Sequence, residues 1–472
     1  MLFNSYEFIF LFLPITFFVY FYLNTKRLTE ASKAFLVFSS LFFYSWWSIV
    51  YLPLILGSVL FNYIVGVSLS KRSNHTQISK KQLLAFGIIL NIFLLGYFKY
   101  ADFFIHNVNY ISNTNIPTLD LVLPLAISFF TFQQIAYLVD GYKKETKEYD
   151  FLNYAVFVTF FPQLIAGPIV HHKEMMPQFE NIRNKIKNYK NIALGIFIFS
   201  IGLFKKVVIA DTFALWANHG FDIANTLNIF EAWATSLSYT FQLYFDFSGY
   251  TDMAIGAALL FNIKLPINFN SPYKALNIQD FWKRWHITLS RFLREYVYIP
   301  LGGNRKGKYR VYSNFLATFL IGGLWHGAGW TFIFWGFLHG AAMAVYGAWK
   351  VLNFTVNKYL AWFITFNFLN VSWVFFRAKE WEDAIKVLKG MFGMNEINSI
   401  NSLISFGGIA KETFLVMAII TMFSIYTFFA KNSNEMLLNF KYSQKDLVFS
   451  VTLTVIAILQ FSEVSTFLYF NF

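Results

Sequence analysis

Residues 8–23 read FIFLFLPITFFVYFYL, a run without a single charge, and Lys26, Arg27 and Lys33 follow it closely. An uncharged apolar run that ends on basic residues is the pattern of a membrane helix whose C-terminal end faces the cytoplasm. No basic segment precedes the run and no small-residue cleavage site follows it, so a retained span is expected rather than a cleaved signal. The pattern then repeats. Helices of membrane length fit residues 34–51 and 52–69, and Lys71-Arg72 and Lys80-Lys81 come next, again on the expected inside.

Composition extends this reading to the whole chain. Hydrophobic residues make up 57% of 472 and charged residues 13%, and mean hydropathy is +0.48. Soluble domains carry about 25% charged residues, so this chain lacks the polar surface that water requires. Lipid is the solvent it fits. The net charge of +13 does not indicate nucleic-acid binding, because Lys and Arg gather in short loops between apolar runs. No cysteine is present, which excludes disulfides, a catalytic thiol and Cys-ligated metals.

Further apolar segments cover residues 83–98, 121–139, 192–216, 229–261, 315–349, 360–376, 413–430 and 447–461. The expected fold is all-α: a polytopic transmembrane bundle of about ten to twelve crossings. It includes re-entrant segments and a cytoplasmic amphipathic helix at the membrane interface. No linker or repeat divides the chain, so residues 1–472 are expected to form one integral-membrane domain. Basic loops at 143–147 and 173–190 fall on the inside, and the N-terminus outside. Trp46, Trp47, Tyr97 and Tyr100 are expected at segment ends, as interfacial aromatics. Phe161-Pro162-Gln163 and Ala166-Gly167-Pro168 interrupt residues 151–172, which therefore read either as a broken, re-entrant segment or as a simple kink.

The longest polar insertion is 264–310, rich in Lys and Arg and expected in the cytoplasm. Within it, residues 279–297 read as one amphipathic helix. Trp282, Trp285, Leu289, Phe292, Leu293 and Tyr296 share one face, and Lys283, Arg284, Arg291 and Arg294 share the other. His286 sits at the edge of the apolar stripe. The following apolar run contains Gly322-Gly323-Leu324-Trp325-His326-Gly327. An ionisable side chain at membrane depth is a functional candidate, and histidine is suited to deprotonating a hydroxyl near neutral pH. His339 follows in the same run; at helical spacing it does not share a face with His326, and it reads as a packing residue or as one that supports a catalytic group from behind. Upstream, Tyr244-Phe245-Asp246-Phe247-Ser248-Gly249-Tyr250-Thr251-Asp252 places two carboxylates in an apolar run. Each would need a partner or a water-filled cavity, and either could orient a histidine or pair with a basic residue. No phosphate-binding loop, dinucleotide motif or HExxH is present. His171-His172 reads as a loop pair near the interface rather than a metal site.

These stretches resemble the membrane-bound O-acyltransferase family, in its bacterial alginate O-acetyltransferase-like branch. The resemblance rests on Met1-Leu2-Phe3-Asn4-Ser5, residues 246–252, residues 280–299 with Arg284-Trp285-His286, and Trp325-His326-Gly327. Trp373-Val374-Phe375-Phe376-Arg377-Ala378 is a weaker match. It implies an acyltransferase whose essential histidine is His326, with His286 as a second catalytic residue. It also implies a tunnel admitting acetyl-CoA from the cytoplasm, with no bound cofactor or metal.

By the same resemblance, acetyl groups would pass to hydroxyls of an envelope polysaccharide, peptidoglycan or alginate-like, across the bacterial inner membrane. A periplasmic or membrane-anchored acetyltransferase partner would complete the transfer. Asp246, Ser248, Tyr250, Asp252 and Trp325 are candidate substrate-facing residues, and Lys283, Arg284 and Arg291 would attract either the donor's phosphates or membrane lipid headgroups. After Gly167-Pro168-Ile169-Val170 the branch usually places an arginine. Here His171-His172 stand instead, so no permanent positive charge is available there. Two other classes remain: a glycan or lipid-precursor transporter or flippase, and a non-catalytic scaffold.

Overall fold

The computed structural model describes residues 1–71, 79–145, 150–395, 410–461 and 467–468, and the side chains of these except 410–414. Arg72 and Lys147, read above as loop cations, lie outside the described residues. All regular structure among the described residues is helical. Among the described residues six helices are long and apolar enough to cross a membrane: Glu7–Thr25, Ile49–Lys71, Lys80–Ser112, Tyr189–Ile223, Trp330–Val351 and Lys358–Arg377. Their outer faces carry apolar side chains, among them Phe10, Phe18, Ile64 and Phe93, more than half exposed. In a protein with so few charges, that exposure is a lipid-facing surface.

The boundaries differ from the sequence reading in instructive ways. The second helix is Thr29–Ser45 and stops short of residue 51, leaving Trp46 and Trp47 exposed at its end. The run read as 83–98 extends to Lys80–Ser112, so Tyr97 and Tyr100 sit within a helix rather than at its end. Residues 229–261 form one 32-residue helix, Ile229–Leu260.

Residue contacts divide the chain into two compact units. The first comprises Met1–Leu203, Tyr250–Pro266 and Phe440–Asn471. Its helices are tied by polar pairs where lipid offers no hydrogen bonds: Asn62 and Asn91 exchange side-chain amide bonds of 3.1 and 2.7 Å. Here the proline-bearing stretch breaks. Helices Phe151–Thr159 and Phe161–Leu164 give way to a non-helical run over residues 165–171, all of it buried. Proline at 168 removes a donor, and burial within protein is what permits such backbone at depth.

The second unit comprises Phe204–Gly249 and Ile267–Asn439. The apolar run read as 315–349 is two helices, Lys308–His326 and Trp330–Val351, which reverse through residues 327–329. His326 and His339 therefore stand on different helices of a hairpin, and the single-helix argument separating them does not hold. The hairpin closes tightly at Gly323, where a Cβ would come within 2.3 Å of the Phe332 carbonyl oxygen. The insertion is also not one amphipathic helix over 279–297. It is Ile278–Trp282, a turn, Ile287–Leu293 and a π-helical turn Arg294–Tyr298.

Candidate active site

His286 is where the expected helix breaks. It occupies the left-handed region at φ 42°, ψ 54° and caps the helix that starts at Ile287. Such a conformation is costly for a non-glycine residue and survives where the surroundings enforce it. Asn268 does the enforcing. Its carbonyl oxygen accepts from the Ile287 N–H at 3.0 Å. Its side-chain oxygen accepts from the Thr288 N–H at 3.1 Å and the Thr288 hydroxyl at 3.0 Å. The same oxygen lies 3.2 Å from His286 Nδ1.

An amide oxygen only accepts, so His286 Nδ1 carries the proton and Nε2 carries the lone pair. His286 is fully buried. Burial holds its imidazole down to about 3, against an ordinary value of 6.5. The ring is neutral across the physiological range.

The break keeps the apolar pattern of the segment while changing what it faces. Trp282, Trp285, Leu289, Phe292 and Leu293 are buried, and Lys283 and Arg294 are exposed. Trp285 packs on Phe281, Phe269 and Trp373 at ring distances of 5.6, 5.0 and 5.1 Å. Protein, rather than lipid, covers this aromatic face.

His326 ends its helix and is 3% exposed. Its ring stands edge-on to three others: Trp325 at 4.8 Å, Trp335 at 5.2 Å and Phe376 at 5.0 Å. Trp325 also meets the His286 ring at 6.0 Å, so a single indole touches both candidate histidines. Phe247 closes against His286 at 4.8 Å. The buried indole N–H groups of Trp335 and Trp373 have no acceptor among the described residues.

His339 has hydrogen-bond partners on both ring nitrogens. Trp282 Nε1 donates to its Nδ1 at 3.2 Å, and its Nε2 lies 3.1 Å from the Ser372 oxygen. Ser372 spends its own proton on the Leu369 carbonyl, so His339 Nε2 must be the donor.

The carboxylates separate. Asp246 pairs with Lys206 at 2.7 Å, and Lys206 also reaches Asp211 at 2.8 Å. Lys206 lies on a π-helical turn, Lys205–Ala210, and both Lys206 and Asp246 are 2% exposed. Sequence reading missed Lys206, although a lysine within an apolar run was signal enough. Ser248 is buried, and its hydroxyl has no partner among the described residues.

Tyr250 and Asp252 belong to the first unit. There the Tyr250 hydroxyl accepts from the Ala166 N–H at 3.3 Å, and its ring packs on Phe3 at 4.9 Å; Asp252 is buried. His171 and His172 are buried, His171 at the end of the non-helical run and His172 at the start of the helix His172–Glu180. His171 Nδ1 lies 3.1 Å from the Asp140 carboxylate. That carboxylate partner is of opposite sign to what an arginine at this position would supply.

Of the basic candidates, Arg284 is held by Asp280 at 2.8 Å, Arg291 is half-buried and Lys283 is exposed. Arg377 pairs with Asp222 and donates to Asn218 at 3.0 Å. Among the described residues, no group of three His, Asp or Glu side chains converges as a metal site would require.

Comparison with known proteins identifies the family. The model of the membrane-bound O-acyltransferase family matches residues 142–379, a span that includes both histidines, Asp246 and Arg377. A peptidoglycan O-acetyltransferase of Helicobacter pylori is 58% identical over 425 residues, 84% of this chain and 80% of the relative. A probable alginate O-acetylase, AlgI, of Pseudomonas aeruginosa is 40% identical over 83% of this chain and 75% of its own length. A teichoic acid D-alanyltransferase of Streptococcus thermophilus is 28% identical over 55% of this chain and 69% of its own.

Proposed function

The chain belongs to the membrane-bound O-acyltransferase family, and from that premise we propose that it moves acetyl groups from cytoplasmic acetyl-CoA towards hydroxyls of peptidoglycan outside the bacterial inner membrane. The observation that carries the mechanism is the pair His286 and His326 on one indole, Trp325. The choice of peptidoglycan over an alginate-like glycan is supported by the higher identity to a protein of that name.

His326 acts as the general base. It takes the proton of the accepting hydroxyl as that oxygen attacks the thioester carbonyl, and the C–S bond breaks to release the thiolate of CoA. His286, neutral and with its lone pair on Nε2, positions the acceptor by accepting a hydrogen bond. A cationic role in stabilising charge on the thioester does not suit a ring held neutral by burial. The indole N–H groups of Trp335 and Trp373 are donors available to a substrate oxygen.

Residues 1–472 work as one acyltransferase domain, with 264–310 as its cytoplasmic basic insertion and the N-terminus outside. Lys283, Arg284 and Arg291 attract the donor's phosphates. A periplasmic or membrane-anchored acetyltransferase completes delivery to the polymer.

The test pairs two measurements. Purified protein given acetyl-CoA should release free CoA, and His326→Ala should stop the release while the protein still inserts and purifies. Mass spectrometry of envelope glycans from a deletion strain should show peptidoglycan without O-acetyl groups. Unchanged CoA release by His326→Ala removes the base assignment, and intact peptidoglycan acetylation removes the acceptor.

A further inference from the structure

A groove of about 250 Å³ opens in the second unit between the two helices of the histidine hairpin, at the end away from His326. Because Lys308–His326 and Trp330–Val351 run antiparallel, residues at the start of the first lie level with residues at the end of the second. Lys308 and Lys350 line the same end of the groove, and Asn304 and Gln279 are also in its lining. One turn further along the two helices come Val311, Tyr312, Tyr346 and Gly347, and another turn on Phe315 and Met343. Lys308 to Phe315 and Lys350 to Met343 are each seven residues, about 10 Å along a helix. Along the two helices the lining therefore grades from cationic to apolar over that length.

Both lysines are exposed, and no ion pair joins either to a carboxylate among the described residues. Lys350 Nζ is 5.9 Å from the centre of the Tyr346 ring. Tyr312 can lie close to position 347 because that position has no side chain: a Cβ there would come within 3.1 Å of its ring. Exposed apolar residues follow Lys350, among them Val351, Leu352 and Phe354.

We propose that this groove binds an anionic phospholipid, with the headgroup phosphate between Lys308 and Lys350 and an acyl chain along Val311, Phe315 and Met343. A polarity gradient along the axis of two membrane helices matches an amphiphile. A soluble phosphate compound would find only the lysine end complementary. The positive-inside rule gives this end of the hairpin to the cytoplasmic leaflet, where anionic lipids and basic side chains attract one another. A lipid wedged here braces the hairpin that carries His326 at its other end.

The experiment is native mass spectrometry of the full chain in detergent, with phosphatidylglycerol and phosphatidylcholine added in equal amounts. Wild type should retain phosphatidylglycerol preferentially. Lys308→Gln/Lys350→Gln should lose about fivefold of that preference for each lysine. A control with the same charge loss outside the groove, Lys358→Gln/Lys431→Gln, should keep it, and monodispersity on a sizing column confirms that each variant is folded. An unchanged preference in the groove variant, or an equal loss in the control, overturns the site. Displacement of bound phosphatidylglycerol by free coenzyme A would make the groove a donor site and overturn the lipid assignment.

Discussion

Asn268 and His286 form the joint that converts an amphipathic stretch into a candidate site. One amide oxygen, 3.2 Å from His286 Nδ1, also collects both Thr288 donors. The bond fixes the imidazole tautomer, and the neighbouring bonds hold the left-handed turn. Asn268 is thus a positioning residue for His286.

Asn268→Ala should lower kcat for CoA release by at least tenfold and destabilise the protein by about 1–3 kcal/mol, because buried donors lose their acceptor. Asn268→Asp keeps the acceptor and adds a charge that raises the His286 pKa. It should retain folding but shift the acid side of the kcat–pH profile upward. If the Ala and Asp variants behave alike in their pH profiles, the tautomer argument fails.

His286 also predicts a pH dependence of stability. Its folded pKa is about 3 against 6.5 when unfolded, so between those values the unfolded chain binds a proton that the folded one does not. Stability should therefore be complete above pH 6.5 and fall with decreasing pH, by about 1.4 kcal/mol for each unit. Thermal melts of purified protein between pH 7 and 4 measure the slope, and His286→Gln should flatten it by that amount.

Removing the base should be far costlier to turnover than to folding. His326→Ala is expected to reduce CoA release by about 100- to 10,000-fold, with a melting temperature within a few degrees of wild type. A collapse of expression in this variant but not in His326→Gln would assign the residue to packing.

The buried ion triad makes the opposite prediction. Lys206→Met leaves Asp246 and Asp211 without their cation, a change of about 3–5 kcal/mol, and should yield little folded protein. Asp246→Asn leaves Lys206 paired with Asp211 and should be milder. Fluorescence size-exclusion profiles of the two variants in crude membranes compare them directly.

Gly323→Val should splay the hairpin, since its first side-chain carbon already meets the Phe332 carbonyl at 2.3 Å. Loss of CoA release with the chain still inserted is the expected result, and wild-type turnover would show that the close approach is dispensable.

Much of this was legible without coordinates because the bilayer is an exacting solvent. Uncharged runs followed by lysine and arginine must be membrane helices, and the residues of 264–310 must divide into buried aromatics and exposed cations. His326 stood out as an ionisable group in an apolar run, whereas Lys206 carried the same signal and was missed. Composition constrains what is buried, since each apolar or charged side chain carries its own transfer energy.

What the sequence left open was direction and partnership. The run 315–349 is apolar throughout, so periodicity does not register the reversal at 327–329 that puts His326 and His339 on separate helices. The heptad-like spacing around His286 fits a continuous helix, and four bonds to Asn268, eighteen to twenty residues away, hold the turn that breaks it. Sequence by itself determined the membrane fold, the family resemblance and the candidate base. Tertiary structure alone decided which imidazole nitrogen keeps its lone pair, that Trp325 joins His286 to His326, and that Asp246 serves Lys206, because hydrogen bonds and ion pairs between distant segments depend on atomic positions that no local pattern encodes.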